Sequence, residues 1–284
     1  MLDFRLQTFL TLSETMNYRR AAELLHITQP AVTQHIKYLE NAYHCKLFTY
    51  SGHTLTMTPQ AQALQKYASA VRYQERRLRA ELEQAPGCHL RVGATKTVGD
   101  YVIGEHAARF LANPDNHLFL EVDNTRQILA MVDRGELDFA IVEGYFDRAD
   151  YECRVYREEP FLGFCAADHP FANRTVPLEQ VLQEGLIVRE EGSGTRNILI
   201  QALQERNYAL EDFPRVVRVN QFRLLETLVA RGCGVTFAYL AAGDQNPELA
   251  PFQVEGWALR RSLSYVCLPN DTARALMDCF DSYR

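Results

Sequence analysis

The stretch from Asn17 to Glu40 constrains this chain most, because two short helical patterns there are separated by only two residues. Asn17 can cap a helix from Tyr18 to Leu25, with Ala21, Ala22 and Leu25 facing inward. His26-Ile27 then makes a tight turn. Thr28 offers a hydroxyl cap to a third helix, and Pro30 falls in its first turn, where a missing N–H does no harm. Val32, Ile36 and Leu39 give that helix a buried stripe. Phe4, Phe9, Leu10, Leu12 and Met16 suggest a preceding helix from about Leu2 to Met16. Two helices joined this tightly can place the N-terminal residues of the second in the major groove of DNA. Its outer face would carry Gln29, Thr33, Gln34 and Lys37. Gln pairs bidentately with adenine, Thr touches a thymine methyl, and Lys meets guanine or phosphate. The spacing alone fits an ordinary three-helix bundle with a polar surface equally well.

Charge distribution supports nucleic acid at one end only. Residues 1–87 hold ten Lys/Arg against seven Asp/Glu, whereas the remainder holds twenty against twenty-nine, so a basic front precedes an acidic back within a net charge of −6. No apolar run approaches the roughly 18 residues needed to span a bilayer, and the N-terminus lacks a secretory pattern. A cytoplasmic protein without membrane partners is expected. The seven cysteines are scattered, with no C-x-x-C pair, and read as free thiols.

The run Ala21-Ala22-Glu23-Leu24-Leu25-His26-Ile27-Thr28-Gln29-Pro30-Ala31-Val32-Thr33-Gln34-His35-Ile36-Lys37-Tyr38-Leu39-Glu40, followed by Lys46-Leu47-Phe48 and Thr58-Pro59, resembles the signature of LysR-type transcriptional regulators. The resemblance implies an all-α winged helix-turn-helix over residues 1–58. It implies that Thr28, Gln29, Pro30, Thr33, Gln34 and Lys37 lie at double-stranded DNA, and His53 of the wing joins this candidate set. Two departures stand out. The family's Gly at the end of the third helix is His44 here; a Gly would relieve a left-handed backbone, so His44 either carries strain or ends the helix differently. The wing's usual basic sites are Tyr50, His53 and Thr56, so a shallower salt dependence of DNA binding is expected.

Thr58-Pro59 opens a linker helix, expected over 59–87 with its last turn near Gln84 and a length of roughly 40 Å. Ala61, Leu64, Ala68, Val71, Leu78 and Leu82 form a seam suited to a coiled-coil partner, so a homodimer reading a roughly palindromic site is expected. Arg72, Arg76, Arg77 and Arg79 along it are either a solvated face or contacts to a partner or DNA. The resemblance adds a homotetramer, and RNA polymerase joins the candidate partners.

After Gln84-Ala85-Pro86-Gly87, short apolar strands alternate with amphipathic helices, the mark of α/β layering. Strands are expected at 90–94, 118–122, 137–142, 161–166, 186–188, 216–219, 235–238 and 264–268, and helices at 100–111, 125–134, 195–206, 221–230 and 273–283. Strands 161–166 and 264–268 would cross between two lobes, the first covering 88–160 and 268–284, the second 161–267. This two-lobed α/β effector domain over 88–284 resembles the periplasmic-binding-protein type that LysR-type sensors share. Ligands in such folds sit at strand carboxyl ends and helix amino ends. By resemblance Thr95, Thr97, Asn124, Ser193, Thr195 and Asn220 line the effector cleft, with Lys96 and Arg196 adding positive charge. A small anionic effector is the expectation; plain caps and turn residues are the alternative for each.

The rival function is a small-molecule-binding or enzymatic α/β domain with a helical interaction appendage. There is no nucleophile elbow, no H-E-x-x-H and no dinucleotide fingerprint. Ser193 and Thr195 have no assignable base, and Asp168-His169-Pro170 reads as structural. No enzyme activity, cofactor or metal is expected.

Overall fold

A computed structural model describes residues 3–82 and 86–284. They form two compact units, the first spanning residues 1–85 with the turn 133–136, the second the rest.

In the first unit, α1 (Phe4–Thr15), α2 (Tyr18–Leu25) and α3 (Gln29–Ala42) precede a hairpin of β1 (Phe48–Ser51) and β2 (Thr54–Met57) and the long α4 (Pro59–Leu82). Local chemistry sets each boundary. The Asn17 side chain accepts from Arg20 N, Thr28 Oγ1 accepts from Ala31 N at 3.3 Å, and Thr58 Oγ1 accepts from Ala61 N at 3.1 Å, so the three expected caps are all made. The α2–α3 turn runs through left-handed His26, and His44 at φ +50° takes the strained of its two alternatives, a left-handed residue with a side chain where Gly would be unstrained. Phe9, Leu12, Ala21, Val32, Ile36 and Leu39 pack one core with Leu47 and Leu55 of the wing. Leu25 is only half-buried, contrary to its expected inward face.

The linker seam needs correction. Ala61, Leu64 and Ala68 belong to the core of their own unit and offer a partner nothing, whereas Tyr67, Leu78 and Leu82 are exposed by 57%, 54% and 71%. The arginines are not a plain solvated face either. Arg72 donates to the Arg134 carbonyl at 2.7 Å and pairs with Glu14, and Arg76 donates to the Gly135 carbonyl at 2.6 Å. The expected starts and ends at Leu2, Gln84 and Ala85 lie outside the described residues.

The second unit has two α/β lobes. The first holds β3 (His89–Thr95), α5 (Lys96–Tyr101), α6 (Gly104–Leu111), β4 (His117–Asp123), α7 (Thr125–Asp133) and β5 (Phe139–Val142). The single helix expected over 100–111 is instead α5 and α6, because Ile103 turns inward at the joint, 1% exposed. Next comes β6 (Glu152–Ala166), a 15-residue strand of which only the last part was expected. The second lobe adds β7 (Thr175–Val176), α8 (Leu178–Val181), β8 (Leu186–Arg189), α9 (Gly194–Gln204), β9 (Val216–Val219), α10 (Phe222–Ala230), β10 (Thr236–Tyr239), α11 (Leu240–Gly243) and β11 (Leu249–Val254). The chain closes with β12 (Arg260–Cys267) and α12 (Asp271–Asp281).

The main sheet runs β4-β3-β5-β12-β6-β11-β7, with β10 also on β6. Strand β6 pairs with β12 as far as Pro160, then with β10 from Phe161 and with β11 from Gly163, so one strand passes from lobe to lobe. Its first half is a sheet edge carrying Arg154, Arg157, Glu158 and Glu159, which hides the strand from an apolar pattern. Strands β8 and β9 pair in parallel, and a single Leu186–Val235 bridge leads from β8 toward β10.

Candidate DNA-reading helix and effector cleft

Helix α3 presents Thr28, Gln29, Pro30, Gln34 and Lys37 exposed, with Thr33 half-buried. The Thr33 hydroxyl donates to Gln29 O at 3.1 Å, which spends its proton on the backbone. Among the described residues Gln29, Gln34 and Lys37 make no side-chain hydrogen bond or ion pair, so their donors and acceptors are available to base edges. Helix α3 is tied to α1: His35 Nδ1 lies 2.9 Å from Thr8 Oγ1, and the Arg5 guanidinium stacks on exposed Tyr38, one turn past Gln34. Glu40 holds the start of the wing by accepting from Leu47 N at 3.0 Å and Lys46 Nζ at 2.8 Å. Although burial opposes it, these bonds keep the Glu40 carboxyl below its ordinary range. His53 sits exposed at the hairpin tip beside left-handed Gly52.

In the second unit the strand ends converge on an acid that sequence reasoning missed. Glu143 follows β5 and is 2% exposed. Its Oε1 accepts from Thr97 Oγ1 of the first lobe and from Thr195 Oγ1 of the second, both at 2.9 Å. Its Oε2 is buried without a partner. Burial drives the Glu143 pKa up to about 7 despite the two hydroxyl donors and nearby Arg189. The lobes touch closely here: a Cβ on Gly144 would lie 2.5 Å from Gly194 Cα. Two expected ligand residues, Thr97 and Thr195, are thus already engaged by a carboxylate of the chain itself.

Lys96 and Asn220 also meet across the lobes, with Lys96 Nζ donating to Asn220 O at 2.5 Å. Lys96 further pairs with Glu190, 3.4 Å away, and Glu190 accepts two hydrogen bonds from Arg189 at 2.9 and 3.1 Å. Against the pull of burial, the Arg189 bonds hold the Glu190 carboxyl below its ordinary range. Arg189, 2% exposed and laid over the Phe222 ring at 4.2 Å, keeps one buried nitrogen, Nη1, without a partner. Thr95 Oγ1 is likewise buried and unpartnered. An open cleft of about 690 Å³ adjoins them, lined by Lys96, Asp100, Tyr101, Asn220, Phe222 and Glu226 among others. Tyr101 hydrogen-bonds Glu226 across it, and burial together with that bond raises the phenol pKa. Burial also raises the Asp100 carboxyl.

The other expected residues are less central. Asn124 caps α7 by accepting from Gln127 N, and it faces Gly192 of the second lobe. Ser193 is buried at the start of α9. Among the described residues Arg196 makes no hydrogen bond or ion pair to the others, and its Nε is buried without a partner. Lys96 and Arg223 line the cleft, with Arg189 behind Phe222; Glu190 pairs with Lys96 and Arg189, and Asp100 and Glu226 are acids on the cleft wall. Glu143 and Arg189 stand at the carboxyl ends of expected strands, which is the signal that could have found them. No group of side chains among the described residues could hold a metal ion. His169 is structural: its Nδ1 accepts from Phe171 N at 3.2 Å and its ring packs on Phe171.

Residues 4–62 match the bacterial regulatory helix-turn-helix family of lysR type, and residues 83–283 match the LysR substrate binding domain. The chain is similar to the HTH-type transcriptional regulator CysL of Bacillus subtilis, 25% identical over 273 residues that cover 93% of this chain and 90% of CysL. Its fold is similar to full-length OxyR from Pseudomonas aeruginosa, with a TM-score of 0.65, 25% identity and coverage of 99% and 93%. It is also similar to the regulatory domain of CcmR from Synechocystis in complex with 2-PG, with a TM-score of 0.58, 20% identity and coverage of 68% and 96%.

Proposed function

Since the chain belongs to the LysR family, and is thereby a non-enzymatic, DNA-binding transcriptional regulator with an effector-binding domain, we propose that a small anionic effector in the 690 Å³ cleft governs its binding to DNA. The carrying observation is a pair of buried, unpartnered donors behind the residues that line that cleft: Thr95 Oγ1, next in the chain to Lys96, and Arg189 Nη1, whose guanidinium lies over Phe222. Leaving such donors unpaired costs about 1–3 kcal/mol each, which an acceptor group on a ligand offsets. Lys96 supplies further positive charge, and the CcmR domain with its 2-PG offers a parallel for a small ligand in this architecture.

LysR regulators bind DNA, take small-molecule effectors and form oligomers. For this chain the partner of α4 is a second copy, met through Tyr67, Leu78 and Leu82, and the dimers pair into a tetramer. RNA polymerase is a further partner of the DNA-bound form. No described helix is long and apolar enough to cross a membrane, and we assign the protein to the cytoplasm beside its DNA. The domains divide near residues 58 and 87, and the DNA-contacting set is Thr28, Gln29, Pro30, Thr33, Gln34, Lys37 and His53. The effector set is Thr95, Lys96, Thr97, Asn124, Ser193, Thr195, Arg196 and Asn220, of which Lys96 and Asn220 line the 690 Å³ cleft, and Glu143 and Arg189 are added to it. Effector binding favours one lobe orientation and so redistributes the protein between two DNA-bound arrangements.

The test is a footprint on the DNA upstream of its own gene, repeated with a panel of small carboxylates and phosphates and their neutral analogues. A two-fold-symmetric footprint that shifts with one anion, persists with its neutral analogue, and stops responding in Lys96→Gln supports the reading. A footprint that ignores every anion, or responds equally to a neutral analogue, refutes the anionic effector. Gln34→Ala, which removes a bidentate base contact worth about 1–3 kcal/mol, should weaken the specific site alone.

A further inference from the structure

A second cavity, of about 280 Å³, lies where the first lobe meets the crossing strand, apart from the effector cleft. Gly144, Tyr145, Phe146 and Arg148 of the segment after β5 form one wall, and Arg260, Arg261 and Ser262 at the start of β12 form the other. None of its residues lines the 690 Å³ cleft.

Its lining holds three arginines and no carboxylate, and the acid on the neighbouring strand is Glu158, opposite Ser262 in the β6–β12 register. Arg148, Arg260 and Arg261 make no ion pair among the described residues, whereas most arginines nearby do. The carboxylate opposite Arg261 in the β6–β12 register, Glu159, is taken by Arg157. Aromatic walls set the direction of two guanidinium groups: Arg148 lies 5.4 Å from the Phe146 ring centroid and Arg261 lies 5.6 Å from that of Tyr145. Arg261 Nη1 is fixed by donating to Arg260 O at 3.0 Å, while its Nε is buried with no partner. A buried guanidinium N–H without an acceptor is costly, and the planar fork suits a phosphate or carboxylate bidentately. The Ser262 side of the cavity adds a hydroxyl.

From this arrangement we infer a second ligand site at the lobe crossing, built for a small dianion of the phosphate class. Three cations with no internal counter-charge call for more than one negative charge, and the volume suits a phosphate with a few further atoms. The site shares Gly144 with the lobe contact beside Glu143, because Gly144 lines the cavity on one side and abuts Gly194 on the other. An occupant therefore bears on the backbone of the lobe contact beside Glu143, and the site does not depend on a ligand in the 690 Å³ cleft.

The experiment uses the full chain without DNA at low ionic strength, with inorganic phosphate as the probe, followed by calorimetry and by phosphorus NMR line broadening. Saturable binding weakened about tenfold or more in Arg148→Gln/Arg261→Gln, partly restored in the corresponding double lysine variant and unchanged in Lys96→Gln, supports the site. Both arginines are at least partly exposed, and thermal melts of the variants check that the fold is intact. Binding lost in Lys96→Gln but retained in the arginine variant would place the phosphate in the effector cleft and overturn the inference. So would equal binding by all variants, meaning an adventitious ion only, or no saturable binding. The anionic-effector reading of the cleft stands or falls separately, on the footprint response and not on this titration.

Discussion

The hydroxyl of Thr195, in the second lobe, donates a 2.9 Å hydrogen bond to the carboxylate of Glu143, buried in the first. This single bond ties the position of one lobe to the protonation of an acid on the other. With an ordinary value of 4.5 and a folded value of about 7, Glu143 binds its proton more tightly in the folded state. The native chain thus holds more protons than the unfolded chain between those two pH values. The Glu143 contribution to stability is full below the lower value, falls as pH rises toward the upper one, and is flat beyond it. The window corresponds to about 3 kcal/mol. Urea unfolding of the wild type from pH 4.5 to 8 should show this decline, and Glu143→Gln should flatten it. An unchanged slope in the variant would mean that Glu143 titrates normally.

Gly144 has φ +85°, and a Cβ there would meet Gly194 Cα at 2.5 Å. Gly144→Ala should therefore lower stability by roughly 1–3 kcal/mol through backbone strain and push the lobes apart at this point. Thermal melting measures the first effect. Cysteine cross-linking between the two lobes of the full chain, compared between wild type and variant, reports a more open shape for the second. A variant as stable and as closed as wild type would contradict the close contact.

Between Lys46 and Lys66 the chain has no Lys or Arg, so the wing has no side chain with a permanent positive charge to place on phosphate. The logarithm of DNA affinity should fall with the logarithm of salt less steeply than a slope of about −10. His53→Arg, at the exposed hairpin tip, should steepen the slope by about 1. Salt titrations of both proteins on one DNA site decide this. Equal slopes would mean that the wing tip does not approach the backbone.

Along α4, Leu78 and Ala68 should behave oppositely when replaced by Glu. Leu78 is 54% exposed, so Leu78→Glu should leave the monomer folded and weaken its self-association. Ala68 is fully buried, and a carboxylate there should unfold the first unit, since burying an unpaired charge costs several kcal/mol. Sedimentation velocity with circular dichroism separates the two outcomes. Undiminished association of Leu78→Glu would move the dimer contact elsewhere.

What the sequence alone determined about this protein is whatever depends on residues within a few positions of one another. The caps at Asn17, Thr28 and Thr58, the turn at His26 and the stripe of Val32, Ile36 and Leu39 follow from bonds and spacings of three or four residues. The alternation of strands and helices after residue 88 followed in the same way, as did the resemblance that identified the family. Tertiary structure alone decided which apolar side chains of α4 remain for a partner, because Ala61 and Leu78 carry the same helical period and differ only in what packs on them. It also decided that the edge half of β6 is a strand despite its charges. The meeting of the two lobes is its largest contribution: Thr195 reaches Glu143 over 52 residues of chain, and Lys96 reaches Asn220 over 124. No local pattern encodes such distances. They arise when two separately folded lobes close on one another and leave a carboxylate in a place too dry to ionise freely.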